Sequence, residues 1–209
     1  MIKIWGRNTS SNVQKAMWAV GELGLAHTRI DVGGAFGKNK EAPYLAMNPN
    51  GLVPTLEEED GFTLWESNSI VRYLAGKHDK DGKLEPKDAK ARAKASQWMD
   101  WQLSVLGPAI TPVFWGLIRT PPEKRDMAAI KAGSEKTIAA MQILDAQLGK
   151  TQFLAGDAFS YGDIPAGVMC YRYRQLVPDR PSTPNLDRWY GALAARKAFH
   201  DHVGSIPLS

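Results

Sequence analysis

The chain has almost no sulfur chemistry to offer: among its 209 residues there is one cysteine, Cys170. A single thiol excludes an internal disulfide and any multi-cysteine zinc site. Long apolar runs are missing as well. The N-terminus, Met1-Ile2-Lys3-Ile4-Trp5-Gly6-Arg7, turns polar at Asn8-Thr9-Ser10-Ser11-Asn12, before it gathers the roughly 7–15 apolar residues of a signal peptide. No stretch approaches the roughly 20 apolar residues of a bilayer span. These absences point to a soluble protein of a reducing, cytoplasmic compartment with no membrane partner. A large charge excess is absent too. The 26 Lys+Arg against 22 Asp+Glu leave +4, too little for an electrostatic footprint on nucleic acid.

What is present is globular in composition, 44% hydrophobic and 23% charged. The length suits one large domain or two modest ones. Residues 1–77 hold eight Lys/Arg and eight acids, so the whole excess lies beyond them. The change comes at Gly76-Lys77-His78-Asp79-Lys80-Asp81-Gly82-Lys83, charged and without apolar period, which reads as a linker. The division is therefore a first domain at 1–77, a linker at 78–85 and a second domain at 86–209.

In the first domain Ile2-Lys3-Ile4-Trp5 alternates as a short strand. Val13, Ala16, Met17, Val20 and Leu23 form one helical stripe, closed near Gly24. Thr28-Arg29-Ile30-Asp31-Val32 alternates again, completing a βαβ unit. A short segment around Tyr44, Leu45 and Met47 comes next. Two β runs, Val53–Leu56 and Phe62–Leu64, flank Asp60-Gly61, a hairpin signal. The acids Glu57–Asp60 read as a solvated turn, and Ser67–Ala75 as a helix burying Ile70, Val71 and Leu74. The order β-α-β-α-β-β-α describes a small mixed sheet faced by helices.

The second domain reads as all-α, with about five helices. Ala89–Leu106 is rich in helix formers, and Pro108 and Pro112 are expected to break or kink the chain just beyond it. Ala128–Leu148 carries a second stripe, and a last helix starts near Asn185. Ser160-Tyr161-Gly162-Asp163, between Phe159 and Ile164, has the pattern of a capping box with a hydrophobic staple. This makes Asp163 a folding element. The mixture Tyr171-Arg172-Tyr173-Arg174 lacks a wider basic field, so it does not argue for nucleic acid. His200, His202 and Cys170 have no partners at ligand spacing.

Four segments share a pattern: Ser11-Asn12-Val13-Gln14-Lys15, then Asn48-Pro49-Asn50-Gly51-Leu52-Val53-Pro54-Thr55-Leu56, Glu66-Ser67-Asn68-Ser69-Ile70-Val71-Arg72-Tyr73-Leu74, and Ser160-Tyr161-Gly162-Asp163-Ile164. In this order along nearly the whole chain they resemble the cytosolic glutathione transferases, of theta-like or bacterial nu-like type. The resemblance implies an α+β thioredoxin-like domain followed by an all-α helical bundle. It also implies glutathione as co-substrate, no metal, a homodimer, and conjugation of hydrophobic electrophiles in detoxification. It makes Val53–Pro54 a cis peptide whose preceding residue turns its backbone toward the cysteinyl unit, as an added strand would. Ser67 then binds the γ-glutamyl carboxylate at a helix N-terminus, where free N–H groups and the positive helix end favour anions, and Glu66 answers the α-ammonium. Asn39 or Lys40, after a Gly-rich loop that is no Walker A, stands where relatives reach the glycyl carboxylate. Asp100 stands where an acid of dimeric relatives reaches the neighbour's glutathione.

A free thiol has a pKa of about 8.5 and attacks as its thiolate. Lowering that by about two units takes about 2.7 kcal/mol, within reach of one hydrogen bond to the anion, about 1.5–3 kcal/mol, with help from a helix end. Ser10, Ser11 and Asn12 all stand at the head of the first helix. Ser11 matches the catalytic serine of theta-like enzymes. Asn12 matches the asparagine of the nu-like group, which also has an upstream hydroxyl, here Thr9 or Ser10. The alternative to both is that these residues simply cap the helix. Trp101, Phe114, Trp115, Ile118 and Tyr171 are the candidates for an apolar substrate pocket, or else core. Two other activities fit the same residues: glutathione-dependent disulfide reduction, and a non-catalytic binding module.

Overall fold

The computed structural model describes all 209 residues, and the chain divides into two units. Unit 1 comprises residues 1–85 and 197–206, and unit 2 comprises 86–196 and 207–209.

Unit 1 contains β1 (Ile2–Trp5), α1 (Ser11–Glu22), β2 (His27–Ile30), α2 (Ala42–Met47), β3 (Thr55–Glu57), β4 (Thr63–Trp65) and α3 (Ser67–His78). The sheet order is β2-β1-β3-β4. β1 runs parallel to β2 and antiparallel to β3, and β4 completes an antiparallel edge. The alternation of β1 becomes burial: Ile2 and Ile4 are inside and Lys3 outside. The stripe Val13, Ala16, Met17 and Val20 is buried, as are Ile70, Val71 and Leu74 of α3, which packs against α1. These helices cover one face of the sheet with the apolar surface that holds the unit together.

The acidic run is less solvated than its composition implies. Glu57 accepts from Lys3 Nζ at 2.9 Å and from the Trp5 indole at 2.8 Å. Glu58 is buried and takes the Lys77 ammonium, and Glu59 pairs with the chain's own N-terminus. These carboxylates tie the end of β3 to β1, to the N-terminus and to α3.

Assigning everything after residue 85 to the second domain needs correction at 197–206. This segment, with α9 (Lys197–Phe199) and a wide turn at His200–Gly204, belongs to unit 1. Phe199 sets its ring edge-on to Trp18 of α1 at 4.9 Å. A Cβ at Gly21 would come within 2.9 Å of Ala198 and His202, so the glycine admits the segment. A contact between positions 18 and 199 leaves no local trace in sequence.

Unit 2 holds α4 (Ala89–Trp101), α5 (Gly107–Phe114), α6 (Met127–Leu148), α7 (Asp163–Leu176) and α8 (Pro184–Ala194). Asp88 and Asp126 cap α4 and α6, accepting from the N–H of Ala91 and of Ala129, each at 2.9 Å. Of the break or kink expected at Pro108 and Pro112, the break does not occur. Wide π-type turns at Gln102–Leu106 and Trp115–Arg119 carry one continuous helix over Ala89–Arg119. Such turns re-register the backbone hydrogen bonds, and this accommodates a residue that lacks its N–H. That helix, unlike any run picked out in the sequence, is long and apolar enough to cross a membrane by length and composition alone, a test that core helices of soluble proteins also pass.

α7 starts at Asp163 with Gly162 as its N-cap and no side-chain cap bond, so of the box expected at 160–163 only the return bond from Asp163 to the Ser160 N–H forms, and the carboxylate does more than that. Asp163 is fully buried and accepts from Ser160 N at 2.9 Å and Ser160 Oγ at 3.3 Å. It also accepts from Leu154 N at 3.0 Å and Trp189 Nε1 at 2.9 Å. The Ser160 hydroxyl accepts from Gly162 N at 3.2 Å. One carboxylate thus ties the 154–160 loop, the start of α7 and α8 together.

Candidate functional site

The polar end of unit 1 is built by close approach. β1 is followed by Gly6, whose φ of +151° lies where side chains rarely go, and a Cβ there would stand 2.4 Å from Val13 Cγ2 and 3.2 Å from Val53 Cβ. Without a side chain at position 6, the first turn of α1 and the 52–54 backbone can close on the sheet end. Val53–Pro54 is cis.

A groove opens there, lined by Asn12, Asn48, Asn50, Leu52, Val53, Pro54, Trp65, Glu66 and Ser67. Two helix N-termini meet in it. Ser67, buried, is the first residue of α3, and its hydroxyl donates to Asn12 Oδ1 of α1 across 3.4 Å. Neither helix is capped by a side chain: Ser10 and Glu66, at the capping positions, make no such bond. The first backbone N–H groups of a helix have no intrahelical acceptor. With the positive end of the helix dipole they make the head of α3 an anion site. Glu66 sits at φ +71°, a conformation that costs a non-glycine residue on the order of 1 kcal/mol or more. Its side chain is exposed at the groove.

The structure therefore gathers Asn12, Val53, Pro54, Glu66 and Ser67 into one groove. Ser10 and Ser11, both half-buried, flank α1's start without lining it. Asn39 and Lys40 stand behind a groove loop: Asn39 Nδ2 donates to Gly51 O at 2.7 Å, and Lys40 Nζ to Asn50 O at 3.1 Å. Both brace the 48–52 loop. Asn48, Asn50 and Leu52, members of the Asn48–Leu56 segment to which the sequence assigns no separate role, and Trp65, which adjoins Glu66, also line the groove.

The remaining candidates lie in unit 2. Asp100 is exposed on α4. Trp101 is half-buried, edge-on to Trp98 at 5.2 Å. Phe114 is half-buried and carries the Arg172 guanidinium 4.3 Å from its ring centroid, with Arg119 at 5.7 Å on the same ring. Trp115 and Ile118 are exposed, whereas Tyr171 is buried and its hydroxyl pKa is pushed up by burial. The run Tyr171-Arg172-Tyr173 is turned inward, and Arg174 pairs with Asp187 and lies over the Tyr190 ring. Cys170 is buried, its thiol pushed up to about 12 by loss of solvent, so it is no nucleophile.

Comparison with known proteins agrees over the whole length. Residues 9–77 match the glutathione S-transferase N-terminal domain and 106–197 the C-terminal domain. The chain is 43% identical over 210 residues to glutathione S-transferase GstB of Escherichia coli strain K12, covering 100% of both. It is 30% identical over 214 residues to glutathione S-transferase 3 of Zea mays, covering 99% of this chain and 95% of that one. Its fold superposes with a TM-score of 0.94 on the theta class glutathione S-transferase of Xanthomonas axonopodis pv. citri with glutathione bound, at 42% identity over 100% of this chain and 99% of that one. With both domains matched in order and a relative aligned end to end, the chain belongs to the glutathione S-transferase family.

Proposed function

We propose that this enzyme binds glutathione in the unit 1 groove, lowers the pKa of its thiol, and directs the thiolate onto a hydrophobic electrophile. The observation that carries the reading is the meeting of the two uncapped helix starts, Asn12 on α1 and Ser67 on α3, beside Val53–Pro54. The γ-glutamyl carboxylate takes the head of α3, with the free N–H groups there, that of Ser67 among them, as donors, while the Ser67 hydroxyl keeps its proton on Asn12. Glu66 takes the ammonium. The Val53 backbone pairs with the cysteinyl unit as an extra strand would.

This arrangement delivers the sulfur to the first turn of α1. There the Asn12 amide, its oxygen already used by Ser67, has its Nδ2 donors for the thiolate, and Ser11 stands one residue upstream. One such bond with the helix end supplies the roughly 2.7 kcal/mol that a two-unit depression needs. No general base enters. Trp101, Phe114, Trp115, Ile118 and Tyr171 are the candidates for contact with the electrophile's apolar part. A reduced thiol as co-substrate suits a cytoplasmic protein. The reading includes a homodimer, in which exposed Asp100 faces the neighbour's peptide, and sedimentation of the purified chain measures that assembly.

Titrating thiolate absorbance of the glutathione complex tests the reading. The bound sulfur should ionise well below its free pKa, and an unshifted titration refutes the proposal. Disulfide reduction is the second activity open to the same groove, because a bound thiolate can attack a disulfide without an enzyme cysteine. Turnover of a chlorinated nitroaromatic against that of a small mixed disulfide separates the two. Failure to bind a glutathione column would leave only the binding-module reading.

A further inference from the structure

The 48–52 loop of the groove is held by polar groups. Leu52 turns its side chain to solvent, 63% exposed, so apolar packing does not fix it. Its carbonyl instead accepts two bonds from inside the unit: the Tyr44 hydroxyl of α2 at 2.6 Å and Asn48 Nδ2 at 2.8 Å. Tyr44 and Asn48 are buried, and so is Thr55, whose Oγ1 lies 2.9 Å from the Tyr44 hydroxyl and 3.3 Å from Asn48 Nδ2.

The proton directions are set by the inventory of donors. A carbonyl only accepts, so Tyr44 gives its one proton to Leu52, and Thr55 must donate to the Tyr44 oxygen. Asn48 gives one amide proton to Leu52 and the other to Thr55. Its Oδ1 accepts from Asn50 N and Nδ2, both at 3.1 Å. The cluster is satisfied, the condition under which buried polar networks specify geometry. Burial raises the Tyr44 pKa above its ordinary value, which keeps the hydroxyl a donor.

Thr55 anchors this chain of bonds to the sheet: it opens β3 and stands in register between Trp5 of β1 and Trp65 of β4. Thr55, Tyr44 and the Leu52 carbonyl therefore link the sheet to the residue just before Val53. Neither Tyr44 nor Thr55 lines the groove.

We infer that Tyr44 and Thr55 are positioning residues for glutathione: through the Leu52 carbonyl they set the Val53 backbone at the height where it pairs with the cysteinyl unit, which rests on the function proposed above. They govern affinity for the peptide and leave thiol activation alone.

The test is calorimetric titration with glutathione alongside steady-state kinetics. Tyr44→Phe keeps the ring and removes the donor. It should raise the glutathione Kd and KM by about tenfold, the loss of one well-made bond. The kcat at saturating glutathione, the electrophile KM and the bound-thiol pKa should all stay put. Thr55→Val should do the same and Thr55→Ser, which keeps the hydroxyl, should restore binding. This pair carries the test if Tyr44→Phe does not fold. Wild-type affinity in Tyr44→Phe or Thr55→Val overturns the inference, as does a Thr55→Ser variant as weak as Thr55→Val, or a kcat that falls in step with the melting temperature. A wild-type chain that does not bind glutathione refutes the reading of the groove itself, and the inference with it.

Discussion

Ser67 of α3 and Asn12 of α1, 55 positions apart, share a hydrogen bond of 3.4 Å at the mouth of one groove. The bond orients the Asn12 amide: with the oxygen accepting from Ser67, the Nδ2 donors remain. Asn12→Ala removes them and keeps the helix start. The bound thiol should then titrate about one to two units higher and kcat/KM should fall about 10–100-fold. Ser11, the match to the theta-like catalytic serine, is half-buried at the first position of α1, and Ser11→Ala should cost no more than about threefold. Thiolate absorbance and initial rates for the two variants decide the assignment, and the reverse ranking returns it to Ser11.

Ser67→Ala tests the bond that orients Asn12. The hydroxyl is lost but the N–H groups of α3 remain, so glutathione affinity should change by less than about threefold. The bound-thiol pKa should rise and kcat should fall in the direction of Asn12→Ala, because the amide is no longer held. Glu66→Gln should weaken binding of glutathione, and should matter far less for an analogue lacking the α-amino group. Equal effects on both ligands would remove Glu66 from ammonium recognition.

What was legible in the sequence was local. The alternation in β1, the stripe of α1, and the Asn48–Pro54 and Glu66–Ser67 motifs each lie within about ten consecutive residues, the span over which period and turn chemistry act. The order of elements in unit 1 came from them. The illegible features depend on distant partners. Asn39 and Lys40 brace a loop some twelve residues on, Phe199 returns to Trp18, and Tyr44 satisfies a carbonyl in a different element. A tyrosine and a threonine that look unremarkable in short segments become decisive once buried together. The helix through Pro108 and Pro112 shows the converse: a strong local signal overridden by a change in hydrogen-bond register.

Asp163 gives the stability a pH signature. Burial pushes its carboxyl up to about 6, against the pull of its four hydrogen bonds. The unfolded value is about 3.9, so between about pH 4 and 6 the native state binds more protons than the unfolded one. Its contribution is full below that window, declines as pH rises through it by no more than about 3 kcal/mol, and is level above. Denaturant midpoints of wild type and Asp163→Asn should converge as pH rises from about 4 to 6 and keep a constant gap from there to about pH 8, and a gap constant throughout rejects the assignment. At pH 7 the Asn variant should be less stable by about 2–6 kcal/mol, since its NH₂ faces donors that it cannot satisfy.

Gly51 shows how far the groove depends on the residues behind it. Its φ is +59°, and a Cβ there would meet the Asn39 carbonyl and the Lys40 ammonium, each at 2.7 Å. The lysine can swing aside, but the Asn39 carbonyl is backbone, so the 48–52 loop or the 39–40 segment must move. Gly51→Ala should lose about 1 kcal/mol or more of stability from the left-handed backbone alone. It should also raise the glutathione KM, because the displaced loop carries Leu52 and Val53. Lys40→Met and Asn39→Ala, which remove the braces without adding a Cβ at position 51, should raise that KM by smaller factors through the same loop. If instead Lys40 contacts the peptide's glycyl carboxylate, Lys40→Met will weaken glutathione binding more as salt is lowered, whereas loosening a loop carries no such dependence. Binding titrations at low and high ionic strength therefore separate a brace from a ligand.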